Sequence, residues 1–294
     1  MAWHPGGAQL ALGRYQEVAL VDGRMQPSGA ALTGHADAVR AVAFSSDGKL
    51  LAAGGGLPGK QGEVKIWDLS RRQVTANVQG HDDCIYAVAF SPDGKMLATA
   101  SYDKLIKLWD PATGKEIRTL TDHIDAVYAL EFTPDGRRLI SGAADRSVKV
   151  WNPATGERLY TMSEPLDGIN AIAVDPTGTL VAAGGIDKSI RIWKLESNSA
   201  TLLQSLMAHE DAILKLAWSP DGKTLVSAAA DRTVKLLRAS DLREVKVLRD
   251  QPDWVHGLAF SPDGKTLSIA CFDGTLAAHA SSELTGSATQ RAGR

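Results

Sequence analysis

Residues 80–110 read GHDDCIYAVAFSPDGKMLATASYDKLIKLWD, and this stretch decides the fold. At its centre Phe90 is followed by Ser91, Pro92, Asp93 and Gly94. Pro presets φ for the first central position of a tight turn, Asp suits the next, and Gly accepts the conformation that closes a short hairpin. The flanks agree with a hairpin: AVAF at 87–90 leads in, MLATA at 96–100 leads out, and a second β-rich run, LIKLW at 105–109, follows. A further turn, PATGK at 111–115, gives way to the polar-alternating EIRTL at 116–120. The unit therefore reads as four short antiparallel strands, and no segment keeps a helical period for long.

The unit recurs. An aromatic or apolar residue leading into the same type of turn stands at Trp3, Phe44, Phe90, Phe132, Val174, Trp218 and Phe260, with spacings of 41, 46, 42, 42, 44 and 42 residues. Self-similarity at this period marks an array of supersecondary units. Four-stranded units cannot each bury two faces alone; packed radially about an axis, they cover one another and leave only short edges. The expectation is an all-β, seven-bladed β-propeller of four-stranded antiparallel blades, forming one domain over residues 1–294.

Composition narrows the functional classes. The 294 residues carry 32 Lys and Arg against 34 Asp and Glu, a formal net charge of −2. That balance argues against a general nucleic-acid binder, which clusters a basic excess, and against a polybasic membrane-surface protein. No apolar run approaches the roughly 18–20 residues of a membrane-spanning helix, and the start, MAWHPGGAQL, does not read as a signal peptide. Cys84 and Cys271 alone cannot build a disulfide framework or a multi-thiolate metal site. The compartment is open: cytoplasmic for the chain as given, periplasmic for a piece of an exported protein.

The repeats carry a signature. Gly34-His35, Gly80-His81, Asp122-His123 and Ala208-His209 each precede a turn leader by nine residues, while Trp67-Asp68, Trp109-Asp110 and Trp151-Asn152 end the third strand. This resembles the WD-repeat β-propeller family, in its regular bacterial form, across essentially the whole chain. The resemblance implies a buried hydrogen-bond relay in each blade. His81, Thr99, Asp103 and Trp109 match it, as do His123, Ser141, Asp145 and Trp151. The copy at His209, Ser227 and Asp231 has Leu237 in place of Trp, and the copy at Asp187 and Trp193 has Pro165 in place of His. The last copy has Asp273 with Gln251 and His279, and the first has Tyr15 and Val21. Those relays are expected to be incomplete.

Several constellations imitate chemistry. The His-hydroxyl-Asp sets look like nucleophilic triads, but they recur at the repeat period with a Trp capping the hydroxyl, which marks scaffold. Residues 54–61, GGGLPGKQ, approach the phosphate-loop pattern, yet Gln61 replaces the hydroxyl and a strand, EVKIW, follows instead of a helix. The segment reads instead as a four-residue loop insertion: His35 to Trp67 is 32 residues where other copies have 28. Four of the seven histidines occupy the repeat position in separate blades, so a multi-His metal site is not expected. Lys104, Arg146, Lys188 and Arg232 each follow a relay Asp and read as a solvated ring, with recognition of an acidic partner as the alternative. No catalytic residue, metal or cofactor is expected.

The resemblance also implies where a partner would bind. The residues three and five after the repeat His, with the residue before the relay Asp, face the rim of the central channel. Read onto this chain, that rim includes Arg40, Tyr86, Tyr102, Tyr128, Asn170, Leu214, Trp254, His256 and Phe272. Most Trp and Phe residues serve the repeat, whereas Trp254, Phe272, Tyr86, Tyr102 and Tyr128 fall outside its positions and gather at this end. Aromatics with a polar handle beside Arg are typical of protein contacts. The expectation is a non-catalytic scaffold binding a peptide or protein segment, with no nucleic acid and no membrane insertion. Two alternatives stand beside it: a sensor or docking module linked to neighbouring domains in a longer polypeptide, and a propeller-hosted hydrolase, since fold does not fix function.

The register qualifies the first blade. Trp3 corresponds to the last position of an innermost strand and Gly293 to the repeat-His position, so the first blade is expected to lack its innermost strand.

Overall fold

The structure, a computed structural model, describes residues 1–285. The turn that opened the sequence reading shows how each unit is built. Ser91 N–H donates to Met96 O at 2.9 Å, Met96 N–H donates back to Ser91 Oγ at 2.9 Å, and Gly94 N–H donates to Ser91 O at 2.8 Å. The Ser91 hydroxyl donates to Asp93 Oδ1 at 2.6 Å, and Lys95 N–H donates to the same oxygen at 3.1 Å. Gly94 sits at φ 69°, in the left-handed region that glycine adopts without a Cβ penalty. Ser45, Ser219, Ser261 and Thr133 rebuild this turn, and in the unit after Val174 the carboxylate of Asp175 does so.

These turns join strands into antiparallel sheets. The first sheet has seven strands in sequence order: β1 Ala2–Trp3, β2 Leu10–Gly13, β3 Tyr15–Val21, β4 Leu32–Phe44, β5 Leu50–Leu57, β6 Gln61–Asp68 and β7 Gln73–His81. It contains two units because β4 serves both. Leu32 and Thr33 pair with Val18 and Glu17 of β3, while Val39–Phe44 pair with β5. The second sheet comprises β8 Ile85–Phe90, β9 Leu97–Ser101, β10 Ile106–Trp109 and β11 Glu116–Leu120. Three more four-stranded sheets follow, with inner strands Val127–Phe132, Ile169–Val174 and Ile213–Trp218.

The first unit, expected to lack its innermost strand, has a two-residue remnant of it, and the last unit departs from the four-stranded expectation. At the start, the innermost strand is reduced to β1, whose Ala2 and Trp3 pair with Ala11 and Leu10. The last sheet has three strands among the described residues, Val255–Phe260, Thr266–Cys271 and Leu276–Ala280, followed by a short helix, Ser281–Thr285. Leu284 of that helix is buried in the cluster of Val226, Leu236, Val255 and Leu267, and Lys246 Nζ donates to Glu283 O at 2.6 Å. Gly293 lies outside the described residues.

The core lies between sheets rather than within them. Ile106, Leu108 and Leu120 of the second sheet pack against Val127, Leu130, Phe132 and Trp151 of the third, and the other clusters are likewise shared between neighbours. Burial on both faces explains why strands such as β9 and β10 are buried at every position instead of alternating. First and last sheets are also in contact: Leu276 packs on the cluster of Leu10, Leu12, Ala19 and Val21, and β1 touches the strand Val255–Phe260.

The long interval between His35 and Trp67 is not a loop. The extra residues lengthen the β5–β6 hairpin, pairing Gly55 with Glu63, Gly56 with Gly62 and Leu57 with Gln61. The turn is confined to residues 58–60, and Gly59 N–H donates to Asp83 Oδ1 at 3.0 Å. Backbone pairing carries the insertion outward as sheet, and no helix follows it.

Candidate partner-binding site

The relays hold the loops that present the site. His81 Nδ1 lies 2.8 Å from Asp103 Oδ2 and its Nε2 lies 2.7 Å from Thr99 Oγ1, to which Trp109 Nε1 donates at 2.9 Å. His123, Asp145, Ser141 and Trp151 repeat the arrangement at 2.7, 2.7 and 2.8 Å. With the proton on Nδ1, each imidazole donates to its carboxylate and accepts from its hydroxyl, so every buried polar group has a partner. Asp103 and Asp145 also accept the N–H groups of Asp82 and Ile124, which ties each relay to the loop before the inner strand. Burial pushes the Asp145 carboxyl up, but hydrogen bonds from His123 and Ser147 outweigh it and hold the group down at about 2.

The incomplete relays are repaired in different ways. His209 keeps Asp231 at 2.9 Å and Ser227 at 2.7 Å, and Leu237 fills the Trp position. In the unit with Pro165, Arg191 Nη1 contacts Asp187 Oδ2 at 2.6 Å, with both side chains buried. His35 faces Glu63 of β6, with Nδ1 3.3 Å from Oε1, and Ala36 N–H donates to that carboxylate at 2.7 Å. Burial holds the His35 imidazole below its ordinary value against the pull of Glu63. Among the described residues, the nitrogens of His35 and the indole N–H groups of Trp67 and Trp193 have no hydrogen-bond partner.

Above these relays, the inner strands converge on a mouth. Arg40, Tyr86, Tyr128, Asn170, Leu214, His256 and Phe272 line one cavity of about 610 Å³. Tyr102 and Trp254 stand at its edge, Tyr102 against Tyr86 and Tyr128, and Trp254 against His256 and Phe272. The nine rim residues named from the sequence are thus brought together, as two aromatic groups. In the first, the Tyr86 and Tyr128 rings meet edge to face with centroids 5.1 Å apart, and the Arg40 guanidinium lies 5.3 Å from the Tyr86 centroid. Both distances suit quadrupolar attraction. Burial pushes the Tyr128 phenol up to about 12, so it is a neutral donor at ordinary pH. In the second group, His256 and Phe272 have centroids 5.5 Å apart.

Three of these aromatics are spread to solvent: Tyr102 is 49 % exposed, Trp254 50 % and Phe272 73 %. Packing does not require them to be large. Asn170, by contrast, is partly committed to the scaffold, because its side-chain N–H donates to Ile213 O at 3.0 Å. Lys104, Arg146, Lys188 and Arg232 occupy left-handed turn positions with φ between 60° and 73°, and Lys188 Nζ donates to Glu210 O at 2.8 Å.

The sequence reading missed two contributors. Tyr15, assigned to a relay position, is 69 % exposed and lines the mouth. Lys215 lines both the mouth and a narrower cavity of about 160 Å³ beneath it. The signal for Lys215 was periodic. It stands six residues after His209, where the corresponding residues are Ala41, Ala87, Ala129, Ala171 and Gly257.

The comparisons agree with the repeat. The family model described as WD domain, G-beta repeat, matches residues 27–68, 72–110, 114–152, 156–194, 200–237 and 242–277. No curated protein matches the chain. Six matches over most of the sequence, each containing the turn and strand order described above, lead to one assignment: the chain belongs to the WD-repeat family.

Proposed function

We propose that this protein is a non-catalytic scaffold that binds a peptide or protein segment across the mouth formed by the inner strands. WD repeats generally mediate protein–protein interactions, and that general role is the starting point. The observation that carries the finer reading is the convergence of Tyr86, Tyr102, Tyr128, Trp254 and Phe272 around one cavity, with the last two and Tyr102 held open to solvent. Large rigid aromatics lose little side-chain entropy on binding and dominate interface energies. The ring-like arrangement behind this reading is a seven-bladed propeller. It is supported by the contact of β1 with the last inner strand, by Leu276 against the Leu10 cluster, and by a central cavity lined from six inner strands. A compact single domain of this length has a radius of gyration of about 19 Å, and a markedly larger value by small-angle scattering would count against a closed ring.

The binding test is affinity capture from the native source with wild type and with the Tyr86→Ala, Tyr128→Ala, Trp254→Ala triple variant. The expected result is that proteins retained by wild type are lost by the variant while its Tm stays within a few degrees. Equal recovery by both overturns the reading.

A further inference from the structure

The narrow cavity under the mouth is built to a rule that one residue breaks. Its wall at the register position six residues after the repeat His, or after the Pro165 and Gln251 that stand in the His position, is Ala41, Ala87, Ala129, Ala171 and Gly257, all small. The sixth residue is Lys215. A lysine among small residues places a cation inside the passage, beside Met1, which lines the same cavity and packs at Gly257. Among the described residues it has no ion pair and no hydrogen bond; burial, with the Lys215 charge adding to it, holds down the Met1 amine and His256, and burial holds the Lys215 ammonium itself below the ordinary lysine value.

The contrast with the other sheet cations is sharp. Lys65, Lys107, Lys149, Arg191 and Lys235, which stand on the third strands of their units, each have a carboxylate within 4 Å: Glu63, Glu116, Asp122, Asp187 and Glu244. Arg40 is like Lys215 in having, among the described residues, no carboxylate at that range; its neighbours are the Tyr86 ring and the Cys84 thiol. Met1, Arg14, Arg40, Lys215 and His256 line the mouth and the passage, and among the described residues no Asp or Glu does. This occurs in a protein with more acidic than basic residues. Carboxylates are present on the surrounding loops, but they are turned to other work. Asp37, Asp83, Asp125, Asp167, Asp211 and Asp253 each accept the N–H of the residue that follows.

We propose that the mouth recognises an acidic side chain of the bound segment, an Asp or Glu whose carboxylate enters between Arg40 and Lys215 while a neighbouring apolar or aromatic residue packs on the tyrosine group. This deepens the interaction reading above and rests on it. Charge complementarity selects the occupant: unpaired cations in a partly enclosed site gain from an anion that supplies the missing hydrogen bonds. A monoanion fits better than a dianion. The lining also contains Leu12, Val39, Leu214, Phe272 and Leu276, and stripping water from a doubly charged group beside that much apolar surface costs far more.

The test uses an array of nine-residue peptides in which a central Glu, flanked by Phe or Leu, is replaced in turn by Gln, Lys or phosphoserine, with each peptide made as free acid and as C-terminal amide. Wild-type protein is compared with Arg40→Gln, Lys215→Met, Lys215→Arg and the aromatic triple variant, at matched Tm. The expected result is retention of the Glu peptides by wild type and at least tenfold loss on changing Glu to Gln. Arg40→Gln and Lys215→Met should abolish the Glu preference, and Lys215→Arg should keep most of it. Preference for Gln, Lys or phosphoserine peptides overturns the inference, as does a preference that vanishes on C-terminal amidation. So does a Glu preference unchanged in both Arg40→Gln and Lys215→Met. In those cases, loss of all binding in the aromatic variant still supports the face; binding untouched by every variant overturns both readings. Arg40 is solvent-exposed, so its variant folds even if Lys215→Met does not.

Discussion

Trp109 Nε1 donates to Thr99 Oγ1 at 2.9 Å, whereas the equivalent indole of Trp67 finds no acceptor among the described residues, because Ala53 stands where Thr99 stands. The ladder register fixes the equivalence: Thr99 pairs with Lys107, and Ala53 pairs with Lys65, each two residues before the Trp. The missing hydroxyl also leaves His35 Nε2 without a partner. One substitution should therefore satisfy two buried groups. Ala53→Ser is expected to raise stability by about 1 kcal/mol, since buried orphan groups cost about 1–3 kcal/mol each and the new hydroxyl must itself be desolvated. A thermal melt should show a rise of roughly 2 °C, and Ala53→Val, which adds bulk without a hydroxyl, should show none.

The reverse experiment removes the hydroxyl from a complete relay. Thr99→Val keeps the shape but strands His81 Nε2 and Trp109 Nε1. The expected loss is roughly 2–4 kcal/mol from two orphaned groups. Ser227→Ala strands only His209 Nε2, since Leu237 has no N–H to lose, and should cost about half as much. Urea denaturation of both variants checks the ratio, and equal losses would contradict the relay account.

What could be read from the sequence follows the range of the interactions. The Ser-Pro-Asp-Gly turn closes within six residues, so its hydrogen bonds are local and each copy announces a hairpin. The relays of His81 and His123 were legible for a related reason: their members fall at fixed offsets within one unit. Glu63 was not legible. Counting 22 residues from His35, as from His81 to Asp103, lands on Leu57. The carboxylate arrives from the other arm of the lengthened hairpin, and only the pairing of Gly55 with Glu63 reveals it. The same limit hid the seven-stranded first sheet, because whether β4 runs unbroken through Leu32–Phe44 is a matter of backbone path and not of residue type. The rim residues were legible as positions; Trp254, His256 and Phe272 gather at one sheet, whereas the tyrosine group joins two sheets and depends on which are neighbours.

Arg191 and Asp187 replace the histidine relay with a buried ion pair, and this makes the unit sensitive to half-removal. Asp187 Oδ2 also accepts Leu166 N–H at 3.0 Å and Oδ1 accepts Ser189 N–H at 3.1 Å, so the carboxylate organises two chain segments. Asp187→Ala leaves the guanidinium buried without a counter-charge, and the expected cost is about 3–5 kcal/mol. Adding Arg191→Met to that variant should recover much of the loss, because the remaining site is then apolar. A double-variant cycle by urea denaturation measures the coupling; additive losses would show that the pair does not act as a unit.

Glu131 gives the fold a pH dependence of opposite sign to that of the relay aspartates. Its Oε2 accepts Val174 N–H at 3.0 Å from the neighbouring sheet. Burial pushes the carboxyl up from 4.5 to about 7, and the hydrogen bond from Val174 opposes this only in part. The native chain therefore holds this proton more tightly than the unfolded chain. Between about 4.5 and 7 the native state binds more protons, so this group's contribution to stability is present below 4.5 and is lost as pH rises through 7. Asp145, held down at about 2, contributes stability above 3.8 that is lost as pH falls toward 2, so its effect is already complete across the range in which Glu131 titrates. Glu131→Gln keeps an oxygen for Val174 and cannot ionise. The variant should match wild type near pH 5 and become the more stable of the two by pH 8, read as a difference in urea midpoint. Midpoints that run parallel from pH 5 to 8 would show that Glu131 is ionised at no extra cost, and that its surroundings are wetter than its contacts with Val174 and the adjoining sheet indicate.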